Sequence, residues 1–263
     1  MIPKIIHYCW FGGAPLPELA IRCIDSWRNY FPDYEIKEWN ENNFDLDSCS
    51  YVKEAYHKRK WAFVSDYARF WIIYHYGGLY FDTDVEIIKP MNNIIDRGSF
   101  FGMEPTGNVA PGLGFAAYPE MELYKEILTF YEKLHFINQD GTLNDQTVVK
   151  YITDILLKHG FILKNKMQTV CGITIYPSEY FCPQNYETGV ISLNENTVSI
   201  HHYTASWHSS LENIITTIER CKSGKISLEY RFRRIISLPF RIVNKYQHLG
   251  TRKMIKFIFN KYL

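Results

Sequence analysis

The stretch from Trp61 to Ile88 constrains this chain more than any other. Residues 61–76 predict a helix whose apolar side chains go nearly all the way round, so it should be buried. Gly77-Gly78 ends it, and Leu79-Tyr80-Phe81 reads as a short buried strand. Asp82 and Asp84 follow, and residues 85–88 read as a further strand. On extended chain, alternation puts Asp82 and Asp84 on one face and Thr83 on the other. Two carboxylates that close repel unless something positive lies between them or one keeps its proton. A hard divalent cation with oxygen ligands meets that need and leaves room for phosphate oxygens. A surface turn, where Asp is common, is the plainer alternative. In the helix, Ser65, Asp66 and Arg69 fall within roughly 100° of arc, at about 100° per residue. Such a strip is either a self-satisfied i,i+3 pair or one wall of a polar site beside the next strand.

The flanking segments predict a sheet for this unit to join. Residues 4–9 read as a first buried strand ending at the Trp10-Phe11-Gly12-Gly13 turn. Residues 16–29 suit a helix with Leu16, Leu19, Ala20, Cys23, Ile24 and Trp27 on one face, and residues 34–39 suit a second strand. Strand, helix, strand is a βαβ opening and argues for an α/β fold. Residues 40–47 read as loop. Residues 100–104 suit another strand, and residues 121–136 a helix. The small, glycine-rich run 108–117 either turns the chain or lets a ligand approach its backbone. Asn144-Asp145-Gln146-Thr147 looks like a helix start. Late strands are expected at 173–176 and 197–201, the second running into His201-His202-Tyr203-Thr204-Ala205-Ser206-Trp207. Ligands of open α/β sheets sit at the carboxyl ends of strands. The Trp10 turn, the carboxylate pair and the late histidines all fall at such ends, so with the Asp66/Arg69 strip they predict one shared site.

Composition narrows the partners. The net charge of +1 hides a division: residues 220–263 carry 12 Lys+Arg against Glu229, while the first 219 residues carry a net charge of −10. Basic residues interleaved with Phe232, Ile235, Phe240, Phe257 and Ile258 read as an element for an anionic membrane surface. Nucleic acid binding, or packing on the acidic body, would use the same charges; the expectation is membrane and no nucleic acid. The six cysteines form no C-x-x-C pair, which argues against a zinc site. With no apolar leader, spanning segment or N-x-[ST] sequon in view, the expected location is cytoplasmic, peripheral on the inner face of the cell membrane. Aromatic content of 16% serves a core and also suits stacking on sugars and bases.

Four segments together resemble the DXD-containing glycosyltransferases of family 32, the glycosyltransferase sugar-binding region of bacterial capsular and surface polysaccharide enzymes. They are Ile2-Pro3-Lys4-Ile5-Ile6-His7-Tyr8-Cys9-Trp10-Phe11-Gly12-Gly13, Ser65-Asp66-Tyr67-Ala68-Arg69, Tyr76-Gly77-Gly78-Leu79-Tyr80-Phe81-Asp82-Thr83-Asp84, and His201 to Trp207. The resemblance implies a GT-A fold over residues 1–215, with 216–263 as a basic helical appendage. It also implies a nucleotide-sugar donor, UDP-linked by family habit, with manganese or magnesium, and transfer of a hexose with retention to a glycan or lipid-linked acceptor. Position by position, Trp10 resembles the aromatic that stacks on the donor base, and Asp66 and Arg69 the pair that binds the donor sugar. Asp82 would contact ribose, sugar or metal-bound water, Asp84 would ligate the metal, and His202 (or His201) resembles the late metal ligand. Ser206 and Trp207 look like residues closing over the diphosphate, and Asp145 with Gln146 resembles an acidic-amide segment near the sugar. Two other function classes compete. A nucleotidyltransferase should carry a cationic glycine-rich loop near its N-terminus, and residues 10–15 have no such cation. A non-catalytic sugar-binding protein has no need of the intact Asp82/Asp84 pair.

Overall fold

Alternation along the first strand already requires cover on both faces of a sheet. In β1 (Ile5–Cys9), Ile6 and Tyr8 belong to one apolar cluster, and Cys9 belongs to another on the opposite side. A computed structural model describes residues 1–186, 189–204 and 236–241. Ser206, Trp207 and, apart from 236–241, the basic stretch 220–263 lie outside the described residues.

The chain continues through α1 (Glu18–Tyr30), β2 (Glu35–Trp39), α2 (Ser50–His57), α3 (Trp61–Tyr76), β3 (Gly78–Tyr80) and β4 (Val85–Ile87). Then come α4 (Asn92–Ile95), β5 (Phe100–Gly102), a 3-10 turn (Pro111–Leu113), β6 (Phe115–Ala117), α5 (Glu122–Glu132) and α6 (Val148–Lys158). The last elements of the main body are β7 (Gln168–Val170), β8 (Ile173–Tyr176), α7 (Ser178–Phe181) and β9 (Ser199–His201). Seven strands form a mixed sheet in the order β2-β1-β3-β6-β5-β8-β7, and β4 pairs with β9 in a separate ribbon. The α/β class and the flanked mixed sheet expected of a GT-A fold are what the structure shows. The parallel β1–β2 pairing closes the predicted βαβ unit. Compact clustering of the chain gives one unit of Met1–Pro183 with Leu193–Thr204, and a second of Gln184–Ser192 with Ala205–Leu263.

Helix α3 is buried along most of its length, with only His75 and Tyr76 exposed at its end. Phe63, Val64, Tyr67, Ala68, Phe70, Ile72 and Ile73 are buried, and so are Asp66 and Arg69. Gly77 ends the helix at φ 62°, a conformation open to glycine at little cost. The turn after it is pinned by His7. Trp39 donates its Nε1–H to His7 Nδ1 at 3.0 Å, so the ring carries its proton on Nε2 and donates to the Gly77 carbonyl at 3.1 Å. Burial keeps this imidazole neutral and lowers its pKa to about 4. On the other face, α1 grips β4 through polar side chains. Trp27 Nε1–H donates to the Val85 carbonyl at 2.7 Å, Tyr30 OH to the Ile88 carbonyl at 2.7 Å, and Ile87 N–H to Ser26 Oγ at 2.9 Å. Chain on both sides of the carboxylate pair is therefore held.

Sequence periodicity missed α2, α4, β6, β7 and α7, and among them α2 and β6 matter most here. Helix α2 is only 8 residues long, and β6, Phe115–Ala117, lies inside the small, glycine-rich run that reads equally as turn.

Candidate functional site

Asp82 and Asp84 lie in a turn, not on a strand as alternation predicts. The Val85 N–H closes that turn onto the Asp82 carbonyl at 3.0 Å, between the end of β3 and the start of β4. The turn still brings the carboxylates together, and it does so in buried surroundings: Asp84 is 8% exposed.

Helix α3 supplies the first wall. Arg69 places its guanidinium 3.1 Å from Asp66 and 3.3 Å from Asp82, donates Nε–H to the Ser65 carbonyl at 3.1 Å, and lies 5.1 Å over the Tyr80 ring. A buried guanidinium needs such partners, since an unpaired buried charge is costly. The i,i+3 pair of the first reading exists, and the same arginine also reaches Asp82 in the carboxylate turn. The expectation that Arg69 holds Asp66 ionised meets a stronger effect. Burial raises the Asp66 carboxyl to about 7, with Arg69 pulling it down and Asp82 pushing it further up. Burial also raises Asp82, against the pull of Arg69.

Strand β9 supplies the second wall. Its antiparallel register sets His201 opposite Val85, beside Asp84. His201 Nε2–H donates to Asp84 Oδ1 at 3.0 Å, while Thr204 donates its N–H and its hydroxyl to Asp84 Oδ2, each at 2.8 Å. Burial opposes ionisation of Asp84, yet the His201 charge and these hydrogen bonds hold its carboxyl well below the usual range. Burial likewise opposes the charge on His201, but Asp84 keeps the imidazole above its ordinary value. Adjacent residues of an extended segment face opposite ways. His202 therefore turns from the pair and sits 2.7 Å from Glu86. The late histidine brought to the carboxylates is His201, which corrects the expectation of His202.

Asp82, Asp84 and His201 offer ligand atoms that lie within 4.8 Å of one another. Two carboxylate oxygens and an imidazole nitrogen are a donor set that suits manganese or magnesium. The raised carboxyls point the same way: burial pushes Asp66 and Asp82 toward their neutral forms, and a cation beside them would favour the ionised ones. His201 Nδ1 is buried with no hydrogen-bond partner among the described residues. A fourth carboxylate, Glu104, lies where the chain leaves β5, with its pKa raised by burial and drawn back by His201.

Gly112, in the 3-10 turn, explains why the glycine-rich run is small. A Cβ there would lie 2.5 Å from Asp82 Oδ2 and 3.7 Å from an Arg69 nitrogen. The close approach is to the carboxylate itself. Periodicity had no means of finding Gly112, Glu104 or Thr204. Their only sequence signals are a glycine inside the small run, an acid closing a predicted strand and a hydroxyl two residues after the histidines.

Trp10 ends β1 half-buried, its Nε1–H donating to the Ala14 carbonyl at 2.6 Å and its side chain packed against the core. Beyond it, Gly12 (φ 96°) passes so close to Trp61 that a Cβ would meet the indole nitrogen at 2.5 Å. A cavity of about 660 Å³ opens here, lined by Gly12, Tyr56, His57, Arg59 and Trp61. Trp61 and Arg69 are eight residues apart on α3, about 12 Å along its axis. Asp145 and Gln146 stand exposed ahead of α6, and Asp145 forms no ion pair with Arg69. The Thr147 cap accepts from Lys150 N–H, as the predicted helix start requires.

Residues 17–101, which contain Asp66, Arg69, Asp82 and Asp84, match the family described as the glycosyltransferase sugar-binding region containing DXD motif. The chain is 25% identical over 229 residues to inositol phosphoceramide mannosyltransferase 1 of Schizosaccharomyces pombe, covering 83% of this chain and 66% of the relative. It is 32% identical over 119 residues to an uncharacterized glycosyltransferase of Acanthamoeba polyphaga mimivirus, covering 41% of this chain and 46% of that one. Among solved structures, the PaToxG glycosyltransferase aligns with a TM-score of 0.47 and 17% identity over 60% of this chain and 69% of its own. The chain thus spans about two thirds of the first relative's length and less than half of the second's.

Proposed function

We propose that this chain, which belongs to the family of the DXD-containing glycosyltransferase sugar-binding region, is a metal-dependent glycosyltransferase. In this reading it moves a hexose from a nucleotide sugar, with retention, to a growing surface polysaccharide or lipid-linked oligosaccharide. The observation that carries the proposal is the convergence of Asp82, Asp84 and His201 beside the buried Asp66–Arg69 pair.

Each residue has a role in that reading. A divalent cation, manganese or magnesium, bound by Asp82, Asp84 and His201 would neutralise the charge gathering on the departing nucleoside diphosphate. Thr204 keeps Asp84 ionised and oriented before any ligand arrives, while His201 would give up its proton to serve the cation. Arg69 fixes Asp66 and Asp82 against each other and orients them toward the donor sugar. As the sugar becomes cation-like, Asp66 would stabilise it in its ionised form, which burial makes harder to reach. The nucleoside end lies toward Trp10 and the aromatic cavity at Tyr56 and Trp61, where π-faces suit a base. Ser206 and Trp207 follow Thr204 in sequence and are assigned to the diphosphate, and exposed Asp145 to the sugar side.

A UDP-hexose is the first donor choice. The name of the fungal relative favours mannose as a second, and it acts on an inositol phosphoceramide by that name. The basic stretch 220–263 is proposed to hold the enzyme on the inner face of the membrane. Release of nucleoside diphosphate from UDP-hexoses and GDP-mannose, with and without manganese, tests the reading. Turnover should require metal and fall at least ~100-fold in Asp84→Ala. Equal turnover in the two proteins refutes the metal role, and no turnover of any donor sinks the enzyme.

A further inference from the structure

We infer that the loop between α6 and β7 is a second membrane contact, inserting Ile162, Leu163 and Met167 into an anionic lipid surface. This inference is independent of residues 220–263 and does not rest on the glycosyltransferase reading.

Six consecutive residues, Ile162-Leu163-Lys164-Asn165-Lys166-Met167, are exposed. Three are large and apolar: Ile162 is 52% exposed, Leu163 50% and Met167 42%. Single exposed apolar residues are ordinary, but three within one tight loop make a patch that asks for a partner.

The loop is organised from within. Gln168 turns its carboxamide into it, donating to the carbonyls of Ile162 at 2.9 Å, Lys164 at 3.2 Å and Lys166 at 3.4 Å. The same side chain accepts from the Ile162 N–H at 3.0 Å. Lys164 and Lys166 close their N–H groups onto the Ile162 and Lys164 carbonyls, both at 2.7 Å. Asn165 ties the tip to Ser178 with two bonds, of 2.7 and 2.8 Å, and Phe161 anchors the base in the core. The N–H and C=O groups of Ile162, Lys164 and Lys166 are therefore satisfied inside the loop, while the side chains of Ile162, Leu163 and Met167 are exposed. A loop facing water has no need of that arrangement, because water satisfies carbonyls. A loop entering a lipid interface does need it, because unsatisfied backbone groups are costly there.

Charge selects the lipid. Residues 155–178 contain Lys158, Lys164 and Lys166 and no Asp or Glu. Lysines flanking exposed aliphatic side chains fit anionic headgroups above an acyl boundary. Topology also places the loop usefully. β3 and β5 both run antiparallel to β6, β8 runs parallel to β5, and β7 runs antiparallel to β8. The start of β7 therefore shares a rim with the end of β3, where Asp82 stands. Four strand steps separate them, about 19 Å at the usual spacing. A surface docked on this loop is presented to the rim that carries the site.

The test is sedimentation of the full chain with phosphatidylcholine vesicles, with and without phosphatidylserine, for wild type, Ile162→Ser/Leu163→Ser and Lys164→Glu/Lys166→Glu. All three keep residues 220–263, so any pull from that stretch is common to them. The double serine variant should partition at least ~10-fold more weakly, equivalent to about 1.4 kcal/mol. The charge-reversed variant should lose a similar factor on phosphatidylserine vesicles only. A second measurement is independent of affinity: lipids brominated in the acyl chain should quench a Leu163→Trp variant more than wild type. Equal partition of wild type and the double serine variant overturns the inference. So does the absence of extra quenching, which is the result expected if the patch serves a protein partner.

Discussion

Replacing Gly112 by Ala tests how tightly the site is built. The new Cβ would stand 2.5 Å from Asp82 Oδ2, where an ordinary contact begins at 3.4 Å, so the carboxylate must retreat by about 0.9 Å. A free side chain would do this easily. Asp82 is not free, because its other oxygen lies 3.3 Å from Arg69, which is itself fixed by Asp66 and the Ser65 carbonyl. The retreat therefore either breaks the Asp82–Arg69 pair or moves Asp82 away from Asp84 and His201. Misplacement on the order of 1 Å costs about 100-fold in rate. Fold stability should fall only modestly if Asp82 keeps part of its pairing with Arg69. Gly112 is not in the left-handed region, and a tolerated Gly→Ala change contributes about 0.4–1 kcal/mol by restricting the unfolded chain. Manganese titration calorimetry, donor hydrolysis and thermal melting separate these effects. The expected pattern is metal affinity down at least ~10-fold, turnover down by up to ~100-fold and a Tm within a few degrees of wild type. Metal affinity and turnover within twofold of wild type would refute the claim that Gly112 sets the position of Asp82.

Three further outcomes follow from the same geometry. His201→Ala should weaken manganese binding at least ~10-fold while His202→Ala leaves it close to wild type, as read by calorimetry; the reverse order would restore His202 as the ligand. Arg69→Lys removes the planar fork that serves Asp66 and Asp82 together, so donor turnover should fall ~100-fold although the charge is kept; full activity would show that a point charge suffices. His7 makes stability depend on pH. Its folded pKa of about 4 lies below the ordinary 6.5, so its contribution is present above about 6.5 and lost as pH falls toward 4. At about 1.36 kcal/mol per unit that is roughly 3 kcal/mol, which urea unfolding from pH 7 to pH 4 should detect and which His7→Gln should remove. An unchanged pH slope in that variant would show that other groups control the effect.

Much of the frame was legible in the chain. The βαβ opening, the largely apolar helix over 61–76 and the strand at 173–176 follow from local periodicity, and local periodicity reports burial directly. The site elements were legible as a list because each ends a predicted strand or lies on a buried helix. Less legible was anything set by a turn. Asp82 and Asp84 keep their proximity through a turn hydrogen bond, although the strand alternation that predicted it does not operate there. β6 was hidden because it lies in a run of small residues that reads equally as turn.

The sequence by itself determined that a buried acid–base strip and a carboxylate pair would stand at one rim of an α/β sheet. Only the tertiary structure decided how they join. The β4–β9 ladder spans more than 110 residues of chain, and its register alone selects His201 over His202, since one residue of slip would turn the other ring inward. Arg69 became the link between helix and turn because burial left its guanidinium no water, and Asp66 and Asp82 were the acids within reach. Periodicity encodes which face of each element is buried. It carries no record of which buried polar groups meet, because that depends on distances between elements far apart in the chain.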